Sequence, residues 1–536
     1  MAEFSPLIYQ LPLELLLQVW EYLDIQDVFA FRLVCRHLND LLFDSFCQEF
    51  YAERRFSITY DSLMVLVKIT RDDRLRRYLT RLTIGLDRLD SSDALPRFID
   101  PLDPVTHVVR ELPILRADVN PHKLDVLYRE QNFLISSGKL QLFLSEVLGN
   151  LSRPLESRPK DPRLEELALR DQNVRRKVPR NGANPLLVSY GSNRILQETG
   201  INFTNSSAES HLGRHDVRFV DSVFSSLMLA IAQSGLKVDR LTVDIQKGDV
   251  GLSSSAFIIP AFFSRDIEPA LLELRKLDLS VSFKKSSIGS YSNRPEDFLP
   301  WQEHQVFSFL QQTPNLAALR VQAKQQGHFT DGLISGLANL TTYSEHGERP
   351  SSSRPRQLET TRFIDHHASS ALAPTHRFEA LEELELGNMR AQSEALSRII
   401  RHLSKSLRRL KLSRIALIIT KTDPELENDR TKPNAWSALF LEMCDLVELE
   451  HLTVAFLEHH TPSCSQNNGH TVAFLPSAFG TQSGELNGLL HTWTHESDAE
   501  ALDDFLRVLS QNTIIICRKC KERNSGYRSV DDILVM

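Results

Sequence analysis

One spacing dominates the chain. Leu-x-x-Leu-x-(Leu/Ile/Val) occurs at Leu79/Leu82/Ile84, Leu164/Leu167/Leu169, Leu274/Leu277/Leu279, Leu316/Leu319/Val321, Leu381/Leu384/Leu386, Leu407/Leu410/Leu412 and Leu449/Leu452/Val454. Val238/Leu241/Val243 is a weaker eighth. Leu makes up 81 of 536 residues, a content that gives about three strict matches by chance. The last two apolar positions alternate, as on a strand with one buried face, and the first anchors the strand's approach. Apolar-periodic stretches lie between these units: Asp221 to Ser234, His304 to Gln312, Gln392 to Ser404 and Ala435 to Leu446. Asp498 to Ser510 reads as a closing helix before a last strand, Thr513 to Cys517. The pattern predicts an α/β architecture of stacked strands backed by helices.

Composition narrows the class. Hydrophobic residues are 41% and charged residues 24%, an ordinary globular balance. Lys+Arg 62 against Asp+Glu 69 gives a net charge of -7, which argues against nucleic acid as a partner. No run reaches the roughly 18 apolar residues that cross a bilayer, so no membrane association is expected. The start lacks the basic region and apolar core of a signal peptide. Six Cys are too few for a disulfide scaffold in a chain this long. A cytoplasmic or nuclear location is expected.

Charge is concentrated at the amino terminus. Residues 1–50 hold eight acids against Arg32 and Arg36, which is -6 of the total -7. Pro12 suits the first turn of a helix. Leu11, Leu15, Val19 and Leu23 recur every four residues, and Leu16 and Trp20 widen the stripe. Asp24 reads as the N-cap of a second helix, Ile25 to Cys35, with Asp27 near the positive end of its dipole. A third helix spans about His37 to Arg54. Three short helices hide little surface, so part of their apolar surface faces either a partner or the following domain.

The string from Leu11 to Leu42 resembles an F-box. The family pattern is matched at Leu11, Pro12, Glu14, Leu15, Leu16, Val19, Tyr22, Leu23, Asp27, Val28, Arg32, Val34, Cys35 and Arg36, with Leu38 in place of the usual late aromatic. The resemblance implies a three-helix unit that docks on the Skp adaptor of Skp–cullin–F-box ubiquitin ligases. It places Leu11, Pro12, Leu15, Val19 and Val28 in or near the docking surface, with Leu16 and Leu23 on the same stripe. Phe31, Val34 and Cys35 would support that surface from the core.

The expected layout is an F-box over residues 1–55, a linking helical segment over 56–78, and an irregular leucine-rich-repeat-like solenoid over 79–536. The layout is similar to F-box proteins of filamentous fungi. The intervals between strand units are 85, 110, 42, 65, 26 and 42 residues, and only 381 to 407 falls in the regular range of about 20–29. Disordered insertions are expected at about 283–295, 344–370, 420–434 and 461–468, with further loops near 152–162 and 175–185.

Little in the chain suggests catalysis, and no cofactor is implied. Cys517-x-x-Cys520 is half a zinc site. His366-His367 and His459-His460 read as solvated surface pairs. Arg175, Arg176, Lys177 and Arg180 read as a solvated loop. No phosphate-binding glycine loop, nucleophile elbow or HExxH helix is present. What could read cargo is the residue between the last two apolar positions of each strand: Ala168, Thr242, Asp278, Arg320, Glu385, Lys411 and Thr453. Asp278, Arg320, Glu385 and Lys411 alternate in sign and suit a polar or mixed-charge peptide. The expectation is therefore a substrate-receptor subunit, not an enzyme. It would bind the Skp adaptor, and through it a cullin–RING ligase, and hold a protein substrate. The alternative is a scaffold that never presents substrate for ubiquitination.

Overall fold

A computed structural model describes residues 11–89, 120–154, 163–172, 188–200, 216–246, 250–282, 301–324, 334–338, 378–418, 434–444, 449–460, 470–474, 492–496 and 499–516. The chain forms two compact units, Met1–Ser282 and Phe283–Met536.

The first unit opens with three helices, α1 (Leu13–Tyr22), α2 (Ile25–Leu33) and α3 (Arg36–Tyr51). A parallel sheet follows: β1 (Glu53–Ser57), β2 (Arg81–Gly85), β3 (Arg163–Arg170), β4 (Lys237–Asp244) and β5 (Lys276–Val281), side by side in chain order. The connections carry α4 (Tyr60–Arg71), α5 (Asp73–Arg76), α6 (Pro121–Ser136), α7 (Lys139–Ser152), α8 (Ser192–Thr199), α9 (Val217–Ser234) and α10 (Ala261–Leu272).

In the second unit β6 (Ala318–Ala323), β7 (Glu383–Gln392), β8 (Arg409–Ile418) and β9 (His451–Ala455) are parallel. The far half of β8 pairs with β10 (Glu458–His460), also in parallel. The pairing then turns antiparallel, β10 to β11 (His470–Phe474) to β13 (Thr513–Ile516), and β12 (Thr492–Glu496) pairs antiparallel with β9. Among the described residues no helix is long and apolar enough to cross a membrane.

All eight leucine units lie at strands, and they stack in register. Leu82, Leu167, Leu241 and Leu277 pair across the first unit, as Leu319, Leu384, Leu410 and Leu452 do across the second. The leading residues of the spacing, Leu79 to Leu449, are buried in every unit. The two residues after the leading Leu form the step between strands. In the second unit the N–H groups of Glu382 and Glu383 both donate to the Ala317 carbonyl. Those of Arg408 and Arg409 donate to Glu382, and those of Glu450 and His451 to Arg408. In the first unit Thr80 and Arg81 donate to Ala52, and Glu165 and Glu166 to Thr80. These five strand entries thus close backbone polar groups on the preceding strand, and buried backbone requires such closure.

The helices expected from periodicity occur with small shifts: Val217–Ser234, Trp301–Gln311, Ser393–His402, Ala435–Cys444 and Ala499–Asn512. The stretch read as a linking helical segment differs. Its start, with Phe56 and Ser57, belongs to β1, so the sheet begins at Glu53 and only Ala52 separates it from α3. The leucine spacing misses β1 because Arg54 pairs where the next strand has Leu82. The expected insertions lie outside the described residues, apart from Asn434. Its side chain accepts from the Trp436 and Ser437 N–H groups at 3.2 Å and so starts the helix Ala435–Cys444.

One buried ion pair ties the first strands together. Arg55 on β1 donates to both Asp87 oxygens at 3.1 and 3.2 Å, to the Arg170 carbonyl at 3.2 Å and to the Gln172 carbonyl. Ser189 donates to Asp87 at 3.0 Å, and Gln131 on α6 donates to the Asp87 carbonyl at 2.9 Å. Gly85 permits this approach: a Cβ there would lie 2.8 Å from Asp87 Oδ2 and 2.9 Å from Ser189 Oγ. Removing one partner of a buried pair strands the other charge. Arg55→Ala is expected to destabilise the first unit by about 3–5 kcal/mol in urea unfolding, whereas the exposed Arg409→Ala should change stability by less than about 0.5 kcal/mol.

Candidate functional site

Two surfaces carry the candidate residues, one in each unit. The first is formed by α1 and α2. α1 is apolar on nearly all sides, and packing divides its surface. Leu16 and Trp20 turn inward and join Val28, Leu38, Leu42, Phe46, Cys47 and Phe50 in one core. Trp20 donates from its indole nitrogen to Glu49 at 2.9 Å, which fixes α1 on α3. Leu11, Leu15, Val19 and Tyr22 are exposed, as are Ile25 and Leu33 on α2, while the part-exposed Phe29 sets its ring 5.4 and 5.1 Å from those of Phe46 and Phe50. Exposed apolar side chains on short helices make this a candidate interaction face.

The helix ends are set by side chains. Asp24 accepts from the Asp27 N–H at 2.8 Å, the N-cap expected for α2. Cys35 caps α3, its sulfur accepting from the Leu38 N–H at 3.4 Å. Arg32 donates to Asn39 Oδ1 at 2.8 and 3.1 Å and lies 3.5 Å above the Phe46 ring, closing the turn between α2 and α3. The bundle is then fastened to the segment before β2. Arg77 pairs with Asp44 at 2.8 Å, the Tyr78 hydroxyl also donates to Asp44, and Arg74 lies 4.4 Å from the Phe43 ring centre.

This three-helix geometry coincides with a family match: residues 8–50 fit the model described as F-box-like. The chain carries an F-box-like domain. No curated protein matches the chain. F-box domains bind a Skp adaptor, and the domain supports an adaptor role in complexes of the Skp–cullin–F-box type.

Within the F-box, several residues sit differently from the resemblance. Val28, expected near the docking surface, is fully buried at 0% exposure, and Leu16 is buried beside it. Leu23 and Phe31 are half-buried against the same core. Val34, expected in the core, is 66% exposed. It caps the end of α2 with helical backbone angles, on a side that the three-helix core does not cover. Leu11, Pro12, Leu15 and Val19 are exposed.

The second surface is a strand face of the second unit. Arg320, Glu385, Lys411 and Thr453 are consecutive partners across β6 to β9. Glu385 Oε1 receives Arg320 at 3.2 Å and Lys411 at 2.9 Å. One position earlier along the same face stand Glu383, Arg409 and His451, also in register. A cavity of about 470 Å³ is lined here by Glu383, Leu384, Arg409, Leu410, Lys411, Glu450 and His451. Sequence reasoning found Arg320, Glu385 and Lys411. It missed Glu383, Arg409 and His451, which sit two positions earlier in the same spacing.

Asp278 does not join them. It lies in the first unit, buried, and pairs with Arg240 at 2.5 Å and with Thr242 at 3.4 Å. His459, read as a solvated surface residue, is buried on β10, while His460 is half-buried and lies 3.4 Å from Glu458. Cys517, Cys520, His366, His367, Arg175, Arg176, Lys177 and Arg180 fall outside the described residues. Among the described residues no three His, Cys, Asp or Glu side chains are grouped to hold a metal.

Burial pushes the Cys47 thiol up to about 11, against the opposing pull of the Arg32 charge. It is a core residue with no thiolate at neutral pH. Iodoacetamide at pH 8 is expected to alkylate Cys35 in the native chain and to spare Cys47 until denaturant is added. Peptide mass spectrometry reads both sites, and early labelling of Cys47 would show that the three-helix core is not closed.

Proposed function

We propose that this chain is a substrate-receptor subunit of a Skp–cullin–F-box ubiquitin ligase. The observation that carries the reading is the outward apolar face of α1 and α2, within the segment that matches the F-box-like model. Leu11, Pro12, Leu15 and Val19 form the centre of adaptor docking, and Ile25 extends it. The second unit holds a protein substrate, and its stacked strands act as a leucine-rich-repeat-like platform. The chain performs no chemistry itself. It raises the local concentration of the substrate's lysines near a ubiquitin-charged enzyme recruited by the cullin. It works in the cytoplasm or the nucleus.

Support also comes from the junction. α3 runs into β1 through Ala52 alone, and the carbonyl of that residue accepts from both Thr80 and Arg81. A docking module joined in this way has a fixed direction relative to β1 and β2. Fixed geometry is what an effective-concentration device requires.

The test is co-purification with a Skp adaptor. Leu15→Asp with Val19→Asp is expected to abolish the stoichiometric complex and leave the thermal unfolding midpoint within about 2 °C, since both side chains are exposed. Leu16→Asp should instead unfold the three-helix core, because it buries a charge without a partner. If the wild type binds no adaptor, the docking reading fails. If it binds but never raises ubiquitin transfer to a bound protein, the chain is a scaffold.

A further inference from the structure

The apolar face of α1 is bordered by charge of one sign. Between Leu11 and Tyr51 the chain holds seven acids, and its only Lys or Arg residues there are Arg32 and Arg36. Packing sorts these charges. Asp44 is closed on Arg77, and Glu49 accepts from Trp20. Arg32 is drawn in over the Phe46 ring and onto Asn39. Glu14, Glu21, Asp24 and Asp27 are exposed, and among the described residues no ion pair holds any of them. Helical spacing sets the first two beside the apolar side chains. Leu15, Val19 and Tyr22 lie within about 60° of one another around the α1 axis, and Glu14, Gln18 and Glu21 run along one flank of that stripe at i, i+4 and i+7. Asp24 and Asp27 stand at the start of α2, on either side of the exposed Ile25. No base lies on α1, and Arg36 comes only at the start of α3.

We propose that Glu14, Glu21, Asp24 and Asp27 form an acidic rim that steers docking, and that the adaptor surface covering Leu15 and Val19 carries Lys or Arg side chains opposite it. The inference rests on the docking reading and names the chemistry of the partner's surface. A partner with an acidic border would set like charge against four open carboxylates, with no cation on α1 to offset it. A wholly apolar partner would strip water from the carboxylates at the edge of the contact. A basic border meets neither obstacle. Charges at an exposed rim stay solvated when the apolar centre closes, so they add little to the finished complex. They act earlier, as a field that draws the two surfaces together before contact. The rim therefore governs the association rate, and the apolar centre governs dissociation.

The experiment measures association and dissociation of the full chain with a purified Skp adaptor on a biosensor, at NaCl concentrations from about 50 to 500 mM. The wild-type association rate should fall at least about fivefold across that range, while dissociation changes by less than about twofold. Glu14→Gln with Glu21→Gln should slow association about three- to tenfold at low salt and flatten its salt dependence. Neither residue caps a helix through its side chain, so the thermal midpoint should stay within about 2 °C. Asp24 and Asp27 are left in place because Asp24 caps α2. Asp266→Asn with Glu268→Gln on α10 removes the same charge outside the bundle and should leave association within about twofold of wild type. Three results would each overturn the rim: association that ignores salt, equal rates for the wild type and the Glu14/Glu21 variant, or an equal loss in the α10 variant. A variant that slows association no more than it speeds dissociation overturns it as well, since the acids would then be contacts of the finished complex. In all four cases the complex still forms and the docking reading stands. No complex at any salt concentration overturns the docking reading and the rim together.

Discussion

The structure depends on one repeated step, in which a strand entry hangs two consecutive N–H groups on a single carbonyl of the strand before it. Glu382 and Glu383 do so on Ala317, Arg408 and Arg409 on Glu382, and Glu450 and His451 on Arg408. The step fixes the register, and register puts leucine on leucine. Slipping one strand by one residue would turn its leucines out and its charged residues in. Each buried leucine position contributes about 1.5–3 kcal/mol relative to exposure, so the hydrogen-bonded step and the apolar stack select the same alignment. The connections can then vary in length, because none of them sets the register.

The same step joins the adaptor module to the sheet. Ala52 is the last residue of the helical segment's exit, and its carbonyl receives Thr80 and Arg81 as Ala317 receives Glu382 and Glu383. The three-helix bundle is therefore spliced into the first strand with no tether between them. Asp44, Arg77 and Tyr78 add side-chain contacts, and Leu75 and Tyr78 pack on the bundle's core. Bundles of about fifty residues are marginal alone, and here the following chain completes the burial. A partner that grips α1 and α2 thus grips the first unit.

What was readable in the sequence follows from how far a residue's environment is local. The strand units were readable because Leu-x-x-Leu-x-Leu encodes both the step and the buried pair within six residues. β1 was not, since Arg54 takes a leucine's register position and Arg55 is held by Asp87, 32 residues away. The inward and outward sides of α1 were not, because Leu15 and Leu16 are equally apolar and the core residues of α2 and α3 choose between them. The family pattern identified the F-box yet misplaced Val28 and Val34. Pattern matching reports which positions are apolar and is silent on which are covered. The charged row was half readable: spacing found Arg320, Glu385 and Lys411, and missed that Asp278 is already bound by Arg240.

That last difference separates the two strand faces. In the first unit the corresponding positions are filled and covered. Arg55, Thr83, Ala168, Thr242 and Asp278 are all buried. Glu166 takes Arg170 at 2.5 Å and Thr242 at 3.0 Å, and Asp278 takes Arg240. A ligand there would have to break desolvated pairs, and each broken pair strands a buried charge at a cost of several kcal/mol. In the second unit Arg320 and Lys411 pair with Glu385 as well, but both cations stay partly solvated. The two faces share one repeat and one register. They differ in whether their charges are buried or partly solvated.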